Sequence, residues 1–324
     1  MQYKISDIES VECIDDCEEY VYDIEMSDDT EHTFFANDIL VHNSVYFTIK
    51  PALKQLGKKL LNEHGKVSHT AHEIANKIEE HLNKEIIEWS KSNLNAYDCR
   101  FVFKRESICD VGIFIEKKRY ILHILDDEGV EEDKIKYVGV EVASTSTPKK
   151  AKVLIKHIVE TMIKTKDYKK TNEVYFDSYE KFKTMNIEEL AFPRGIKGYE
   201  KYYGKSDGFT TGKGTPIHVK SAIFYNQLLN RLNLTSKYEQ IRSGIKIKFF
   251  YAATNKYNID TIAFLDKYPV EFEIKADIDK MFDKIVTKAV QRLYNVVGWK
   301  VKSPNSEIAC DLFELLSWFW ANIN

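Results

Sequence analysis

Side chains that could do chemistry stand together at His42, Asn43 and Ser44, where a short apolar run ends. The hydroxyl of Ser44 can accept an acyl group by transesterification. The side-chain amide nitrogen of Asn43 can attack the main-chain carbonyl of its own residue and break the Asn43–Ser44 bond. Neither reaction is easy at neutral pH without groups that move protons. Because a His-Asn-Ser tripeptide arises by chance in many proteins, these three residues alone identify no function.

The charge of the chain changes sign at the same point. Residues 1–43 carry thirteen acidic side chains and one basic side chain, a net charge of −12. The other residues carry 46 basic and 37 acidic side chains, a net charge of +9. A division this sharp indicates two units with different partners. The basic unit suits a polyanion such as nucleic acid, and the acidic unit suits a basic partner or forms a solvated surface.

Composition excludes several classes of protein. With 44% apolar and 30% charged side chains among 324 residues, we expect a globular protein of two or three domains. The sequence has no run of 18 apolar residues and no basic-then-apolar leader, so we expect no membrane span and no signal peptide, and the cysteine usage indicates a cytoplasmic location. The five cysteines are odd in number and scattered, which fits reduced thiols. Cys13 and Cys17 lack the second ligand pair of a zinc site.

The acidic segment has a strand-like pattern. Residues 20–25 alternate, Phe34-Phe35-Ala36 and Ile39-Leu40-Val41 are short apolar runs, and turn residues stand at 27–30 and 37–38. A segment of three or four short strands buries little core by itself. It must therefore pack on the rest of the chain or complete a sheet that another chain supplies.

Three blocks of this segment, in order and spacing, resemble the C-terminal splicing blocks of an intein. They are Val21–Glu25, His32–Asn37 and Ile39–Ser44. Asp38 replaces the glycine that usually follows the position of Asn37, and Asp also suits a turn. The resemblance implies a short all-β segment of the Hint type at residues 1–43.

The resemblance also implies a role for each polar residue of the blocks. Ser44 is the nucleophile, Asn43 cyclises, and His42 stabilises or protonates the cleavage site. His32 assists proton movement during the asparagine step, and Asp23 couples the upstream acyl shift to the downstream cleavage. Without the resemblance, each histidine would be a turn or sheet-edge residue and Asp23 a solvated acid.

The block that opens an intein is not found in this sequence. Such a block begins with Cys or Ser, whereas the chain begins Met1-Gln2-Tyr3-Lys4. We therefore expect residues 1–43 to be the C-terminal piece of a split intein, which must bind an N-terminal piece before it reacts. The charge of −12 predicts that this N-intein partner is basic and associates by electrostatic attraction.

The pattern after residue 43 predicts an α+β domain and then helices. A helix from about His69 to Leu94 is indicated by apolar residues at spacings of 4, 4, 4 and 3 from Ile74 to Trp89. A lysine-rich helix at Lys149–Lys166 follows Pro148, which suits a first helical turn. Strand patterns occur at 44–50, Arg100–Glu106, Val111–Glu116, Arg119–Asp126 and Lys136–Glu141.

Four short motifs of this part resemble family B DNA polymerases, most closely the replicative enzymes of T-even-type phages. In family order they are Ser44-Val45-Tyr46, Lys117-Lys118-Arg119-Tyr120, Ser146-Thr147-Pro148, and Gly214–Val219 followed by Tyr225-Asn226. The resemblance implies that residues 44–145 are the remainder of a polymerase palm, α+β in class. Residues 146–324 would be a mainly helical thumb with a C-terminal tail.

The resemblance implies a DNA-directed DNA polymerase that needs a second chain. Family members hold two Mg²⁺ ions on palm aspartates that precede the position of Ser44, so these aspartates must lie on an N-terminal polymerase half. Glu106 stands where relatives carry an extra carboxylate near the metals, or is a surface acid of a strand. Substrates would be dNTPs and primer–template DNA, in the cytoplasm of a phage-infected bacterium.

DNA contacts are implied for Lys117, Lys118 and Arg119, with Tyr120 packing alongside, and such contacts are largely blind to sequence. The lysines of residues 149–170 and the glycine-rich stretch 195–214 would lie near DNA as parts of the thumb. The apolar tail from Asp311 would dock on a sliding clamp or pack on the thumb.

Two other hypotheses remain at this point. The intein piece could be inactive, which would leave a subunit that binds DNA and the clamp. Alternatively, the polymerase could assemble without ligation, with the intein pieces serving only for dimerisation.

Overall fold

A computed structural model describes residues 33–36, 39–42, 46–95, 97–99, 101–203 and 208–302. These residues form a mixed α and β structure that divides into two compact units. The first unit takes the described residues up to Asp110 together with 124–134, and the second takes 111–123 and those from Ile135 onward. In the part of the chain that is described, no helix is long and apolar enough to cross a membrane.

An antiparallel hairpin forms in the acidic segment. Strand β1 (Thr33–Ala36) pairs with β2 (Ile39–His42), and the register sets Thr33 opposite His42. The strand pattern of these two apolar runs is therefore confirmed. The strand expected at residues 20–25 lies outside the described residues.

In the first unit, two helices follow the hairpin. Helix α1 (Lys50–Gln55) begins where a strand was expected, because Pro51 presets the backbone for a first helical turn; the strand prediction for 46–50 is therefore wrong. Helix α2 (His69–Leu94) matches its predicted bounds. Its start is fixed by Ser68, whose hydroxyl oxygen accepts a hydrogen bond from the backbone N–H of Ala71 at 3.2 Å.

The strand expected at Arg100–Glu106 does not form over the described residues 101–106, so this prediction is wrong. At Phe103 and Arg105 the backbone bonds to polar side chains of α2 instead of to a neighbouring strand. The N–H of Phe103 donates to Asn83 Oδ1 at 2.7 Å, and Asn83 Nδ2 donates to the carbonyl of Phe103 at 2.9 Å. The N–H of Arg105 donates to Glu79 Oε2 at 2.7 Å. These bonds join residues more than nineteen positions apart, which a local pattern cannot reveal.

A three-stranded sheet follows, in the order β3 (Ser107–Glu116), β4 (Arg119–Asp127) and β5 (Val130–Val138). Two-residue turns join the strands. At the second turn Glu128 and Gly129 both have positive φ, 51° and 92°, which suits the twist of a tight hairpin. Strand β5 begins six residues before the predicted strand at Lys136–Glu141 and ends at Val138, so that prediction is only partly confirmed.

The rest of the second unit is mainly helical. Helix α3 directly follows Pro148, as predicted. A short sheet in the order β6-β7-β8 is antiparallel, with Phe192 opposite Phe249 and Phe249 opposite Ala263. The elements are α3 (Lys149–Thr165), α4 (Tyr168–Lys183), α5 (Ile187–Leu190), β6 (Phe192–Gly195), α6 (Tyr199–Tyr203), α7 (Ile217–Arg231), β7 (Lys246–Tyr251), β8 (Thr261–Phe264), α8 (Ile278–Phe282) and α9 (Lys288–Val296).

Each unit has its own apolar core. The core of the first unit contains Leu53, Val67, Ala71 and Ile108. In the second unit, aromatic side chains of α4 surround the buried Phe282, and the ring of Phe182 lies 5.3 Å from that of Phe282 between centroids. Helix α7 packs on β8 of the small sheet. A rigid core of this kind fixes the positions of the charged turns and helix faces around it.

Candidate nucleic-acid interface

The turn between β3 and β4 displays the strongest basic motif of the sequence. Lys117 and Lys118 occupy the turn and are both exposed. Lys118 has φ of 61°, in the left-handed region, so the turn is tight. Two exposed ammonium groups at the tip of a short hairpin can contact a polyanion with little competition from other groups of the protein.

Arg119 has a different environment from the two lysines. Its Nε donates to the carbonyl of Gly139 at 3.0 Å, its Nη1 lies 2.5 Å from Glu116 Oε1, and its Nη2 lies 2.8 Å from Glu141 Oε1. Only 26% of the side chain is exposed. The sequence suggested three equivalent cations, but every guanidinium nitrogen of Arg119 already has an acceptor within the second unit.

Gly139 packs directly against the backbone of this turn. Its φ is +62°, and a Cβ at this position would lie 2.1 Å from the carbonyl oxygen of Lys118. No side chain fits in that space, so only glycine satisfies both the backbone angle and the close approach. The turn is thereby held against the segment that follows β5.

Tyr120 lies beside the turn as expected. It is half-buried, and its ring centroid is 5.8 Å from that of Phe114, which is 40% exposed. Together the two rings form an aromatic surface next to the lysines. Aromatic rings interleaved with cations are typical of surfaces that bind nucleic acid.

In the first unit, Glu106 directly precedes β3 and is exposed. Its neighbour Arg105 forms an ion pair with the buried Asp126, which also accepts a hydrogen bond from the N–H of Gly129 at 3.1 Å. Among the described residues, no group of three or more His, Cys, Asp and Glu side chains is placed to hold a metal ion. Glu106 therefore does not belong to such a group within this part of the chain.

A second basic surface was missed by sequence reasoning. Lys280, Lys284 and Lys288 are spaced four residues apart across α8, a π-helical turn at Asp283–Thr287 and α9. None of the three forms an ion pair with another described residue. The adjacent Lys288 ammonium lowers the pKa of Lys284 below its usual value of 10.5. The spacing of four was visible in the sequence and could have identified this stripe of lysines.

The thumb-like motif at residues 214–226 has a structural role in the second unit. Tyr225 is buried, and its hydroxyl donates to the carbonyl of Glu239 at 3.2 Å. The buried amide of Asn226 donates to Tyr199 Oη and to the carbonyl of Ile241, both at 2.8 Å, and accepts from the N–H of Ile241. Burial, together with repulsion from Arg194, lowers the pKa of His218. These residues stabilise the fold around α7.

Most lysines of residues 149–170 are exposed, as expected for cations that contact solvent or phosphate. Lys150 pairs with Glu189 at 3.6 Å, and Lys156 lies 5.6 Å above the ring of Tyr137. Of the splicing residues, the structure places only the backbone of His42, at the end of β2. Asp23, His32, Asn43, Ser44 and the apolar tail from Asp311 lie outside the described residues.

Comparison with known proteins adds an independent observation. The chain is 26% identical over 287 residues to a DNA polymerase of Thermococcus litoralis and 24% identical over 286 residues to one of Thermococcus aggregans. Each match covers 87% of this chain but 14% and 13% of the relatives. A DNA-directed DNA polymerase of Escherichia phage RB69 is 29% identical over 120 residues, which is 36% of this chain and 13% of that polymerase.

No protein-family model matches the chain. The chain matches the two Thermococcus polymerases over most of its own length, but it spans only about one seventh of their length. Similarity to DNA polymerases of two archaea and a phage supports a function related to DNA polymerases.

Proposed function

We propose that this chain is the C-terminal part of a replicative family B DNA polymerase, made as a precursor for protein trans-splicing. The similarity to DNA polymerases over 87% of the chain carries the polymerase part of the proposal. The splicing part rests on the resemblance of three blocks of residues 21–44 to intein splicing blocks. The polymerase motifs from Ser44 to Asn226 stand in family order, which supports the same conclusion. Residues 44–145 would complete the palm and residues 146–324 would form the thumb and tail.

The mature part would grip primer–template DNA through the turn between β3 and β4. The exposed ammonium groups of Lys117 and Lys118 suit backbone phosphates, which are present at every position of a duplex. Contacts of this kind carry no sequence information, as template-directed addition of dNTPs to any primer requires. The stripe of Lys280, Lys284 and Lys288 adds positive charge to the same unit.

The catalytic metal ions would be held mainly by the partner half. A two-metal centre needs several carboxylates close together, and the described residues do not provide such a group. Glu106 is therefore proposed as an accessory carboxylate at most. The N-terminal polymerase half, which carries the N-intein, would supply the palm aspartates. The tail from Asp311 is retained as a proposed contact for a sliding clamp.

Splicing would join the two halves through residues of the acidic segment. The Ser44 hydroxyl attacks the thioester or ester at the end of the upstream half and receives its acyl group, while the N-intein side chain leaves. The Asn43 amide nitrogen then attacks the Asn43 carbonyl carbon, forms a cyclic imide and releases the Ser44 amine. That amine takes the acyl group from the Ser44 oxygen, which forms the new peptide bond. His42 and His32 would move the protons, and Asp23 would couple the two cleavages.

The proposal is tested by co-expression with the upstream half and measurement of intact masses. A ligated polymerase without residues 1–43 is expected, and Asn43→Ala should leave the acidic segment attached. Asn76→Ala, at an exposed position of α2, is the control and should splice normally. An unligated complex that extends primers would favour non-covalent assembly. An inactive, unligated chain that still binds DNA would favour a DNA- and clamp-binding subunit.

A further inference from the structure

One carboxylate in the second unit receives two guanidinium groups. Glu141 Oε1 lies 2.8 Å from Arg119 Nη2 and also forms an ion pair with Arg292 of α9. The Glu141 side chain is 23% exposed and that of Arg119 is 26% exposed, so both lie largely within the fold. The contact between Glu141 and Arg292 joins residues 151 positions apart. Glu141 thus connects the turn between β3 and β4 to the helical part of the same unit.

The guanidinium of Arg119 is held on all three nitrogens. Its acceptors are the carbonyl of Gly139 and the carboxylates of Glu116 and Glu141. A planar guanidinium gains geometric specificity from several fixed acceptors, so this arrangement sets the orientation of the side chain. A phosphate could engage the same nitrogens only by competing with these acceptors.

The turn itself is also held by the close approach of Gly139. The space for a Cβ there is filled by the carbonyl oxygen of Lys118, 2.1 Å away. Contacts at Lys118 and Arg119 therefore fix the C-terminal end of the short segment that presents the two exposed lysines, and the ion pair between Arg119 and Glu116 connects that end to the residue before Lys117. Groups held in this way lose less conformational freedom on binding a ligand, which strengthens binding.

We propose that Glu141 is a positioning residue for nucleic-acid binding: through Arg119, and anchored by Arg292, it holds the Lys117–Lys118 turn in its binding conformation. Arg119 then acts as a positioning residue, and the two lysines provide the phosphate contacts. This inference rests on the proposed function, since it requires that the turn binds DNA. The expected effect of Glu141 on DNA binding is the opposite of what its charge alone predicts, because an acid beside a DNA-binding surface would otherwise weaken binding.

Binding of the full chain to a labelled primer–template duplex, measured by fluorescence anisotropy over a series of salt concentrations, tests the inference. Lys117→Ala and Lys118→Ala should each weaken binding and reduce the slope of log K against log salt concentration by about one. Glu141→Gln should weaken binding by about threefold to tenfold, although the protein becomes more positive. The matched control Glu173→Gln, at an exposed acid of α4, should bind unchanged or slightly more tightly.

A double-mutant cycle separates positioning from direct contact. If Glu141 acts through Arg119, the Arg119→Ala, Glu141→Gln double variant should bind no more weakly than the Arg119→Ala variant alone. Glu116→Gln removes a 58% exposed carboxylate from the same guanidinium. A thermal melt will show whether Glu141→Gln is stable enough to assay. If it is not, Glu116→Gln takes its place and should weaken DNA binding in the same direction but by less.

Three outcomes have distinct meanings. Tighter binding by Glu141→Gln would overturn the inference and leave Glu141 as a repulsive charge. A reduction of the salt slope by about one on Arg119→Ala, in both the wild-type and the Glu141→Gln backgrounds, would make Arg119 a direct phosphate contact and also overturn it. If Lys117→Ala and Lys118→Ala change nothing while other lysine variants weaken binding, the proposed interface itself fails.

Discussion

Four consecutive residues at the turn between β3 and β4 have three different environments. Lys117 and Lys118 are exposed, the Arg119 guanidinium is enclosed by oxygen atoms, and Tyr120 is half-buried beside Phe114. The sequence showed a basic motif but not this division. The acceptors of Arg119 include Gly139 and Glu141, about twenty residues away, so a local pattern could not have revealed them.

Gly139 gives the sharpest prediction for a single residue. Gly139→Ala should lower the free energy of unfolding by about 1–2 kcal/mol for the left-handed backbone. A further loss of about 1–3 kcal/mol should follow from overpacking against the Lys118 carbonyl. Urea denaturation of the full chain measures the loss as a shift of the midpoint.

Gly198→Ala is the matched control for that substitution. Gly198 has φ of +65°, close to that of Gly139, but no atom lies within 4 Å of the position of its missing Cβ. This variant should therefore show only the backbone part of the loss. Equal losses for the two variants would mean that the close approach at Gly139 does not constrain the turn.

At the scale of elements, α2 serves two purposes. Its apolar positions were recognisable in the sequence, and the helix has the predicted bounds. Its polar side chains also accept hydrogen bonds from the backbone N–H groups of residues 103 and 105, so these groups do not pair with a neighbouring strand. The prediction of a strand at Arg100–Glu106 was wrong because the sequence pattern does not show which groups form hydrogen bonds with the backbone of a segment.

Asn83→Ala should therefore destabilise the first unit more than a typical surface change. Loss of its side chain leaves the N–H of Phe103 without the acceptor now 2.7 Å away, which should cost about 1–3 kcal/mol. Asn76→Ala, at an exposed position of the same helix, should change the free energy of unfolding by no more than about 0.5 kcal/mol. Denaturation midpoints of the two variants that agree within error would contradict this role of α2.

The lysine stripe along α8 and α9 should destabilise the free protein. Repulsion lowers the folded-state pKa of Lys284, so its proton weakens the fold at neutral pH, and the penalty disappears as the pH rises from the folded value to 10.5. Lys284→Gln should raise the melting temperature at pH 7 in low salt. The gain should shrink at high salt, because ions screen exposed charges.

Lys197→Gln, at an exposed lysine in the same unit, is the control and should leave the melting temperature nearly unchanged. Differential scanning calorimetry at two salt concentrations gives both comparisons. A lower melting temperature for Lys284→Gln would show that this lysine stabilises the fold. That result would contradict the prediction that the lysine stripe destabilises the free protein.

At the scale of the whole molecule, the sequence predicted a mixed α and β protein and the helices α2 and α3, and the structure contains them. The similarity to DNA polymerases agrees with the motifs found in the sequence. The bonding of 101–106 to α2 and the fixed guanidinium of Arg119 were not predictable, since both depend on contacts distant in sequence. The chain spans about one seventh of the length of the two Thermococcus polymerases that it matches.

Primer extension tests the central claim most directly. The upstream polymerase half and this chain are assayed separately and after co-expression, with a labelled primer–template, Mg²⁺ and dNTPs. Neither half alone should extend the primer, and the combined protein should extend it in a template-directed manner, with activity reduced by Lys117→Ala and Lys118→Ala. Full extension by the upstream half alone, or none by a combined protein whose intact mass proves ligation, would contradict the account.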